Sequence, residues 1–229
     1  MQEYGQYCPV ALGSEVLAER WTPLILREMV IGSTRFNEIE RGLPGISRTM
    51  LVKRLRYLAR KGVVQIVPTD GGRGHEYHLT DAGWDLQRVI MALGEWTVRW
   101  LFTEPLPQDV DPITLTWWMH RRVAPERAPA GRVVMRFDYA DETPARLWII
   151  LDRGEPSVCT NAPGFDSDLV IATDSVSLMR VFSGVDDLAT ARANGTVRID
   201  GPPRLVRQFP TWFLWSPFRQ AVRDRVNLQ

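Results

Sequence analysis

Hydrophobic residues in the first half of the chain recur at helical spacing and are separated by short turns. The pattern predicts one helix over Pro9–Ala18 and a second over Thr22–Val30, which Thr22 can cap. A third helix is expected to begin at Ser33 or Thr34 and to end near Gly42. These elements predict a compact helical start to the chain.

The next segment combines a helix with two short alternating strands. Leu51, Leu55 and Leu58 lie at i, i+4 and i+7, so a helix that opens at Ser47 and runs to Lys61 presents one buried stripe. A glycine-rich turn joins two predicted strands, and Thr80 then caps a long helix; the ranges are Val63–Val67, His75–Leu79 and Asp81 to about Phe102. This order of elements predicts a β-hairpin wing directly after the fourth helix.

Three prolines within residues 103–112 predict a break in regular structure, because proline lacks an N–H donor and restrains the residue before it. We therefore expect a first domain over residues 1–104, a linker over 105–111 and a second domain over 112–229.

The second half predicts strands followed by helices, an α+β class. Asp111 can cap a helix over Ile113–Val123, for which a strand is the alternative. Four strands joined by short turns predict an antiparallel sheet: Gly131–Phe137, Arg146–Leu151, Pro156–Cys159 and Asp168–Ala172. Two helices, a fifth strand and a last amphipathic helix follow: Val176–Phe182, Leu188–Ala193, Thr196–Asp200 and the segment from Leu205 to Trp215.

Composition narrows the class of protein. Of 229 residues, 45% are hydrophobic, none of the apolar stretches approaches the length of a membrane span, and the N-terminus lacks the pattern of a signal peptide. Two cysteines are too few for a disulfide-stapled secreted domain. We expect a cytoplasmic protein that does not associate with membranes.

The net charge of +1 hides an uneven distribution. Residues 41–73 contain eight cations and one acid, a local charge of +7, whereas 15 arginines balance 15 acids from Asp109 onward. A cationic helix followed by a hairpin predicts a winged helix-turn-helix that binds double-stranded DNA. A merely solvated basic face is the alternative. The residues expected to contact DNA are Arg35, Ser47, Arg48, Thr49, Lys53, Arg56 and Arg73.

Six short segments of the first half form a recognisable set: Cys8–Val10, Glu19–Glu28, Arg35–Glu38, Leu43–Ser47, Leu51–Leu55 and Tyr77–Gly83. In their order and spacing, from about Cys8 to Trp96, they resemble HxlR-type winged-helix regulators. The resemblance implies a homodimer built from the first and last helices of this half, a palindromic operator, and the helix Ser47–Lys61 in the groove. Excess apolar residues on the last helix are consistent with a dimer. The alternative is that Trp84, Trp96 and Trp100 pack on the second half.

Cys8 is a redox candidate, because some members of that family use an N-terminal cysteine at this position as a thiol sensor. Such a sensor needs an exposed thiol with a lowered pKa. A buried, inert cysteine at the start of a helix is the alternative.

The second half resembles the sterol carrier protein two fold from about Val134 to Trp212, through Asp168–Thr173, Leu178–Gly184 and Ala189–Gly201. That resemblance implies an apolar tunnel for lipids or sterols between sheet and helices, although a filled core would use the same residues. Candidate pocket residues are Phe137, Trp148, Ile150, Met179, Phe182, Phe209, Trp212 and Phe213. No catalytic constellation, metal-ligand cluster or phosphate loop is evident, so we expect neither an enzyme nor a cofactor.

The sequence thus predicts a homodimeric DNA-binding repressor with a C-terminal domain that binds a small apolar or lipid-like effector. Two alternatives stay open: a thiol redox-sensing regulator that works through Cys8, and a lipid-binding module with little DNA binding.

Overall fold

The structure is a computed structural model that describes residues 4–69, 71 and 74–227. The chain divides into two units, residues 1–94 and residues 95–229. The long helix that begins in the first unit crosses this boundary. Within the described residues, we find no helix with both the length and the apolarity of a membrane span.

The first unit is a winged helix, as the sequence predicts. Its helices and strands follow in the predicted order: α1 (Pro9–Leu17), α2 (Thr22–Val30), α3 (Phe36–Arg41), α4 (Arg48–Arg60), β1 (Val64–Pro68), β2 (His75–Leu79) and α5 (Asp81–Leu101). Strands β1 and β2 pair antiparallel, with Val64 opposite Leu79 and Pro68 opposite His75. The hairpin therefore stands directly between α4 and α5 in the chain.

Two predicted helix caps are wrong. Helix α2 is preceded by Trp21 in a left-handed conformation, and Thr22 is already its first residue. Helix α3 begins later than predicted, because the Glu38 carboxylate accepts hydrogen bonds from the backbone amides of Thr34 and Arg35 and so fixes the start at Phe36. The predicted caps at Ser47 and Thr80 are confirmed, since their hydroxyl oxygens accept from the amides of Met50 and Gly83.

The core of the first unit lies under α4. Leu51, Leu55 and Leu58 are fully buried, as the i, i+4, i+7 spacing predicts. They pack with residues of α2, α3 and the hairpin, among them Ile25, Leu26, Ile39 and Val64. Burial of a leucine contributes on the order of 2 kcal/mol to folding, so this stripe holds α4 against the domain by one face and leaves the opposite face available.

In the second unit, seven helices and strands from Pro112 onward precede the last strand. Its elements are α6 (Pro112–Arg121), β3 (Val133–Tyr139), β4 (Ala145–Asp152), β5 (Glu155–Cys159), β6 (Leu169–Thr173), α7 (Ser175–Ser183), α8 (Leu188–Ala193), β7 (Val197–Asp200), α9 (Pro203–Gln208) and α10 (Arg219–Val226). The helix predicted after Asp111 is confirmed over the strand alternative: the Asp111 carboxylate accepts from the Thr114 amide at 2.7 Å.

The α+β class is confirmed, but the predicted antiparallel sheet is wrong, because the five-stranded sheet is mixed. Its strand order is β5-β4-β3-β6-β7, and β6 runs parallel to β3. The prediction assumed that β6 continues from β5 by a short turn. Instead, the connection over residues 160–168 carries the chain back across the sheet, so that β6 pairs with β3, the first strand.

The C-terminal segment is interrupted, not one amphipathic helix. Helix α9 ends at Gln208, a 3-10 turn covers Phe209–Trp212, and the chain then runs extended, so that Ala124 donates its amide to the Trp212 carbonyl and Leu214 donates to the Arg122 carbonyl. Pro210 removes one of the donors that a continuous helix needs. The sequence reading also missed α10, whose apolar residues are too few to mark a buried stripe.

Candidate functional site

The face of α4 opposite the leucine stripe is cationic and exposed. Thr49, Lys53, Arg56 and Arg60 lie at i, i+4, i+7 and i+11 and are all exposed. They span about 16 Å along the helix axis at 1.5 Å per residue. Among the described residues, neither Lys53 nor Arg56 forms an ion pair. The charges of Lys53 and Arg56 are thus exposed side by side without an acidic partner among the described residues.

Arg48 opens the same helix but is held by α3. Its Nη1 donates to the Glu40 carboxylate at 2.7 Å, and its Nη2 donates to the Asn37 amide oxygen at 3.3 Å. Its guanidinium carbon also lies 4.8 Å from the centroid of the Phe36 ring. Arg48 remains two-thirds exposed, so it is oriented without being buried.

The sequence analysis missed the two polar residues that hold Arg48. Asn37 and Glu40 lie three residues apart on α3 and hence on one face of that helix. That spacing is a usable sequence signal, but it gains meaning only once α3 is known to pack beside the N-terminus of α4.

The other predicted DNA contacts occupy positions around α4. Ser47 is its exposed cap; its hydroxyl oxygen accepts from the Met50 amide, which leaves the hydroxyl hydrogen free to donate. Arg35 is exposed, and its Nε lies 3.5 Å from the Glu76 carboxylate of β2. Arg73 lies outside the described residues.

Arg56 stands near the hairpin. Burial raises the pKa of the Tyr77 hydroxyl on β2, and the positive charge of Arg56 opposes that rise. Arg56 therefore lies close enough to β2 for its charge to act on Tyr77.

One cation of the basic segment does not belong to this surface. Arg54 is buried and forms an ion pair with Glu19, so it points toward the domain rather than outward. The charge of +7 counted over residues 41–73 is consequently larger than the charge that is exposed there. Tyr57, next to the same face, is also buried and donates its hydroxyl to the Glu15 carbonyl at 3.1 Å.

Cys8 lies at the N-cap position of α1 and is partly exposed. The backbone amides of Ala11 and then Val10 lower the pKa of its thiol, and burial opposes them only weakly. The only cation suggested from sequence, Arg20, has its guanidinium over the ring of Trp21 at 5.4 Å. The groups that lower the pKa of the Cys8 thiol are therefore backbone amides in the first turn of α1.

The candidate pocket residues of the second unit do not lie together. Trp148 and Ile150 form a small cluster with Val134 on one face of the sheet. The other six pack on the opposite face, where the main core lies: Phe137, Met179, Phe182, Phe209, Trp212 and Phe213. Side chains of adjacent residues in a strand alternate between faces, so Trp148 and Ile150 cannot line the same space as Phe137.

The aromatic residues of the main core pack against one another. The ring of Phe209 contacts those of Phe137 and Phe213, with centroids 6.5 and 5.2 Å apart, and all three side chains are at most 2% exposed. These three aromatic side chains therefore pack as core residues.

Comparison with known proteins matches the first unit. Residues 16–105 match the family described as HxlR-like helix-turn-helix. The chain is 37% identical over 89 residues to the HTH-type transcriptional regulator YvaP of Bacillus subtilis, covering 38% of this chain and 82% of that protein. It is 44% identical over 102 residues to the HTH-type transcriptional regulator Rv3095 of Mycobacterium tuberculosis, covering 44% of this chain. This match spans 61% of the mycobacterial relative's length.

A solved structure is also similar to part of this chain. The reduced form of the transcriptional regulator YodB from Bacillus subtilis is 32% identical, with a TM-score of 0.36, covering 42% of this chain and 95% of that one. The family match over residues 16–105 includes α4 and the wing. The chain belongs to the HxlR-like helix-turn-helix family of transcriptional regulators.

Proposed function

We propose that this protein is a homodimeric repressor that binds a palindromic DNA operator through α4 and that responds to a small effector in its second unit. The observation that carries the proposal is the division of α4 into two faces. Three fully buried leucines fix one face, and Thr49, Lys53 and Arg56 are exposed on the other.

A helix with this arrangement suits the major groove of B-DNA, which is about 12 Å wide. Arg48, Thr49 and Lys53 are expected to contact bases or phosphate, whereas Arg56 is expected to contact mainly phosphate. Arg35 and Arg73 are expected to contact phosphate from beside the helix and from the wing. Phosphate contacts fix the register on the duplex, and the base contacts supply sequence preference.

The homodimer is supported by apolar residues that stay exposed on two helices. In the first unit, α1 exposes Val10 and Leu12, and α5 exposes Trp84, Val89 and Leu93. Further along α5, in the second unit, Trp96 and Trp100 are 52% and 67% exposed. Large exposed apolar residues at helical spacing are typical of a surface covered by another protein. A second copy of the chain would also double the number of DNA contacts and match a two-fold symmetric operator.

Repression is the simplest consequence of operator binding by such a dimer, because occupancy of DNA alone suffices. The effector is proposed for the second unit, whose resemblance to the sterol carrier protein two fold implies a small apolar or lipid-like molecule. Binding would change DNA affinity to the extent that the effector prefers one conformation of the dimer.

Selection from a pool of genomic DNA fragments tests the proposal. The expected result is enrichment of fragments with two half-sites about one helical turn apart, protected by the wild-type protein. A Lys53→Glu variant that folds normally should enrich none of them. Failure of the wild-type protein to prefer any sequence would contradict the proposal and favour a lipid-binding module.

A second candidate function is redox sensing through Cys8. The lowered thiol pKa at the start of α1 supports it, because the thiolate is the species that oxidants attack. If it operates, oxidant changes the DNA affinity of the wild-type and Cys159→Ser proteins but not that of Cys8→Ser. An equal response in the Cys8→Ser protein would exclude it.

A further inference from the structure

A row of four residues crosses the sheet of the second unit on the face opposite its main core. Asp138 of β3 pairs with Arg146 of β4 and with Ala172 of β6, and Ala172 pairs with Arg198 of β7. Directly paired residues project from the same face of a sheet. At about 4.8 Å between strands, the backbones of Arg146 and Arg198 stand roughly 14 Å apart.

An open cleft of about 710 Å³ lies over this row. Ala172 has the smallest side chain in the row and forms the floor, while the two arginines stand on either side. The loop residues Pro144 and Ala140 add apolar surface at the rim. The volume falls within the range of small-molecule sites.

The acidic groups of the cleft are already committed to the protein. The Asp138 carboxylate accepts from Arg146 Nε at 2.7 Å and from Arg136 Nη2 at 2.9 Å. The Asp174 carboxylate accepts from the amide and the hydroxyl of Ser177 and so caps α7. Both carboxylates are therefore held by donors of the protein, and Asp174 keeps its negative charge because its donors are neutral.

The cationic groups are not fully used. In the part of the chain that the structure describes, Arg198 forms no hydrogen bond or ion pair, and the bonds of Arg146 involve its Nε only. The lining holds two arginines, Arg146 and Arg198, and two carboxylates, Asp138 and Asp174. Arg136 beside the cleft also binds Asp138, so Arg198 keeps a positive charge that it shares with no carboxylate of the described residues. A guanidinium presents paired N–H donors that match a planar carboxylate in bidentate geometry.

We propose that this cleft binds a small organic monocarboxylate, with its carboxylate on Arg198 and its apolar body over Ala172 and Pro144. A single negative charge fits better than a phosphate dianion, because Asp138 and Asp174 also line the cleft. The site is distinct from the space between sheet and helices. The role of this cleft as the effector site of the regulator rests on the proposed function. The binding of a carboxylate in the cleft does not depend on that function.

Calorimetric titration of the full chain with matched probes tests the chemistry. The probes are benzoate, cyclohexanecarboxylate and hexanoate, each compared with its neutral amide. At least one acid is expected to bind, with its amide tenfold or more weaker, because the amide lacks the charge that Arg198 engages. Failure of all three acids to bind, or equal affinity for acid and amide, would overturn the proposal.

Variants test the location. Arg198→Gln is expected to raise the Kd of the acid about tenfold or more. Arg207→Gln removes an exposed arginine from α9, outside the cleft, and should leave the Kd unchanged. Ala172→Leu fills the floor without altering charge and should raise the Kd as strongly as Arg198→Gln. Unchanged affinity in both cleft variants would overturn the assignment.

Adding selected operator DNA separates this proposal from the function on which it rests. Acid that binds and shifts DNA affinity, with the shift lost in Arg198→Gln, supports the effector role. Acid that binds without shifting DNA affinity retains the site and overturns that role. If the protein shows no sequence preference in DNA binding, the proposed regulatory function is overturned. The titration with acid still tests whether the cleft binds a carboxylate.

Discussion

The cations of α4 and those of the second unit differ in what surrounds them. Lys53 and Arg56 project from α4 with no carboxylate partner among the described residues. In the second unit, many arginines are bound by acids at hydrogen-bond distance, as in the pairs Arg132–Asp152, Arg136–Asp138 and Arg180–Asp186. Local pairing, rather than the count of charges, therefore distinguishes the exposed face of α4, which can attract a polyanion, from the paired arginines of the second unit.

The largest effect is expected when one unpaired positive charge on α4 is reversed. Lys53→Glu should lower operator affinity on the order of a hundredfold, because repulsion replaces attraction in both copies of a dimer. Fluorescence anisotropy with labelled operator measures it. Arg132→Glu, a reversal at a paired exposed site of the second unit, is the control and should change affinity little. Comparable losses in both variants would contradict the contrast.

Removing a positive charge, instead of reversing it, tests whether DNA binding is electrostatic in origin. Lys53→Ala and Arg73→Ala should each reduce the slope of log affinity against log salt by about one unit. Titrations at several salt concentrations measure the slope. Slopes that stay unchanged in both variants would remove these residues from the interface.

Two arginines of the same helix sharpen the comparison. Arg54→Met should lower the free energy of unfolding by about 2 kcal/mol, because it leaves Glu19 without its buried partner. Arg56→Met should change unfolding by less than about 0.5 kcal/mol but weaken DNA binding. Urea denaturation and anisotropy on both variants separate the two roles. Equal destabilisation by both would contradict the assigned orientations.

Arg48 shares features with both the unpaired cations of α4 and the paired arginines of the second unit, because it is exposed and also forms an ion pair. Glu40→Gln should raise affinity for random duplex DNA about two- to fivefold, because the charge of Arg48 is no longer neutralised by α3. Competition with random duplex measures the change. Asp152→Gln, which frees Arg132 in the second unit, is the matched control. Lower affinity in Glu40→Gln would instead show that Glu40 positions Arg48 for productive contact.

The smallest expected effect concerns the reactivity of Cys8. Since the pKa of the Cys8 thiol is lowered, its thiolate fraction below the ordinary pKa is larger, and iodoacetamide should alkylate Cys8 at lower pH than an unperturbed thiol. Peptide mass spectrometry across pH 6–9 gives its rate, with Cys8 in unfolded protein as reference. A midpoint at or above that of the unfolded protein would contradict the prediction.

The sequence predicted the first unit well because its signals are local. The leucine spacing, the cap at Ser47 and the glycine-rich turn each act within a few residues, and the winged helix follows from their order. What it could not predict there was the inward turn of Arg54, which depends on Glu19, 35 positions earlier in the chain.

In the second unit, the strands were predicted but their pairing was not. The parallel contact of β6 with β3 is decided across the sheet, by packing that no short pattern records. The same limit explains the pocket candidates. Trp148 and Phe137 were grouped as large apolar residues, whereas their registers place them on opposite faces. The cleft at Ala172 was missed because its row is formed by four strands and leaves no linear motif.

The pairing of β3 has a consequence for the chain as it is synthesised. Strands β3, β4 and β5 are consecutive and pair in that order, so they can assemble as soon as residue 159 has emerged. Until residues 169–173 follow, one edge of β3 remains open, with unpaired amides and carbonyls beside a strongly apolar surface. A ribosome that stalls, or a gene truncated, within that interval would release a template for aggregation rather than a partly working domain.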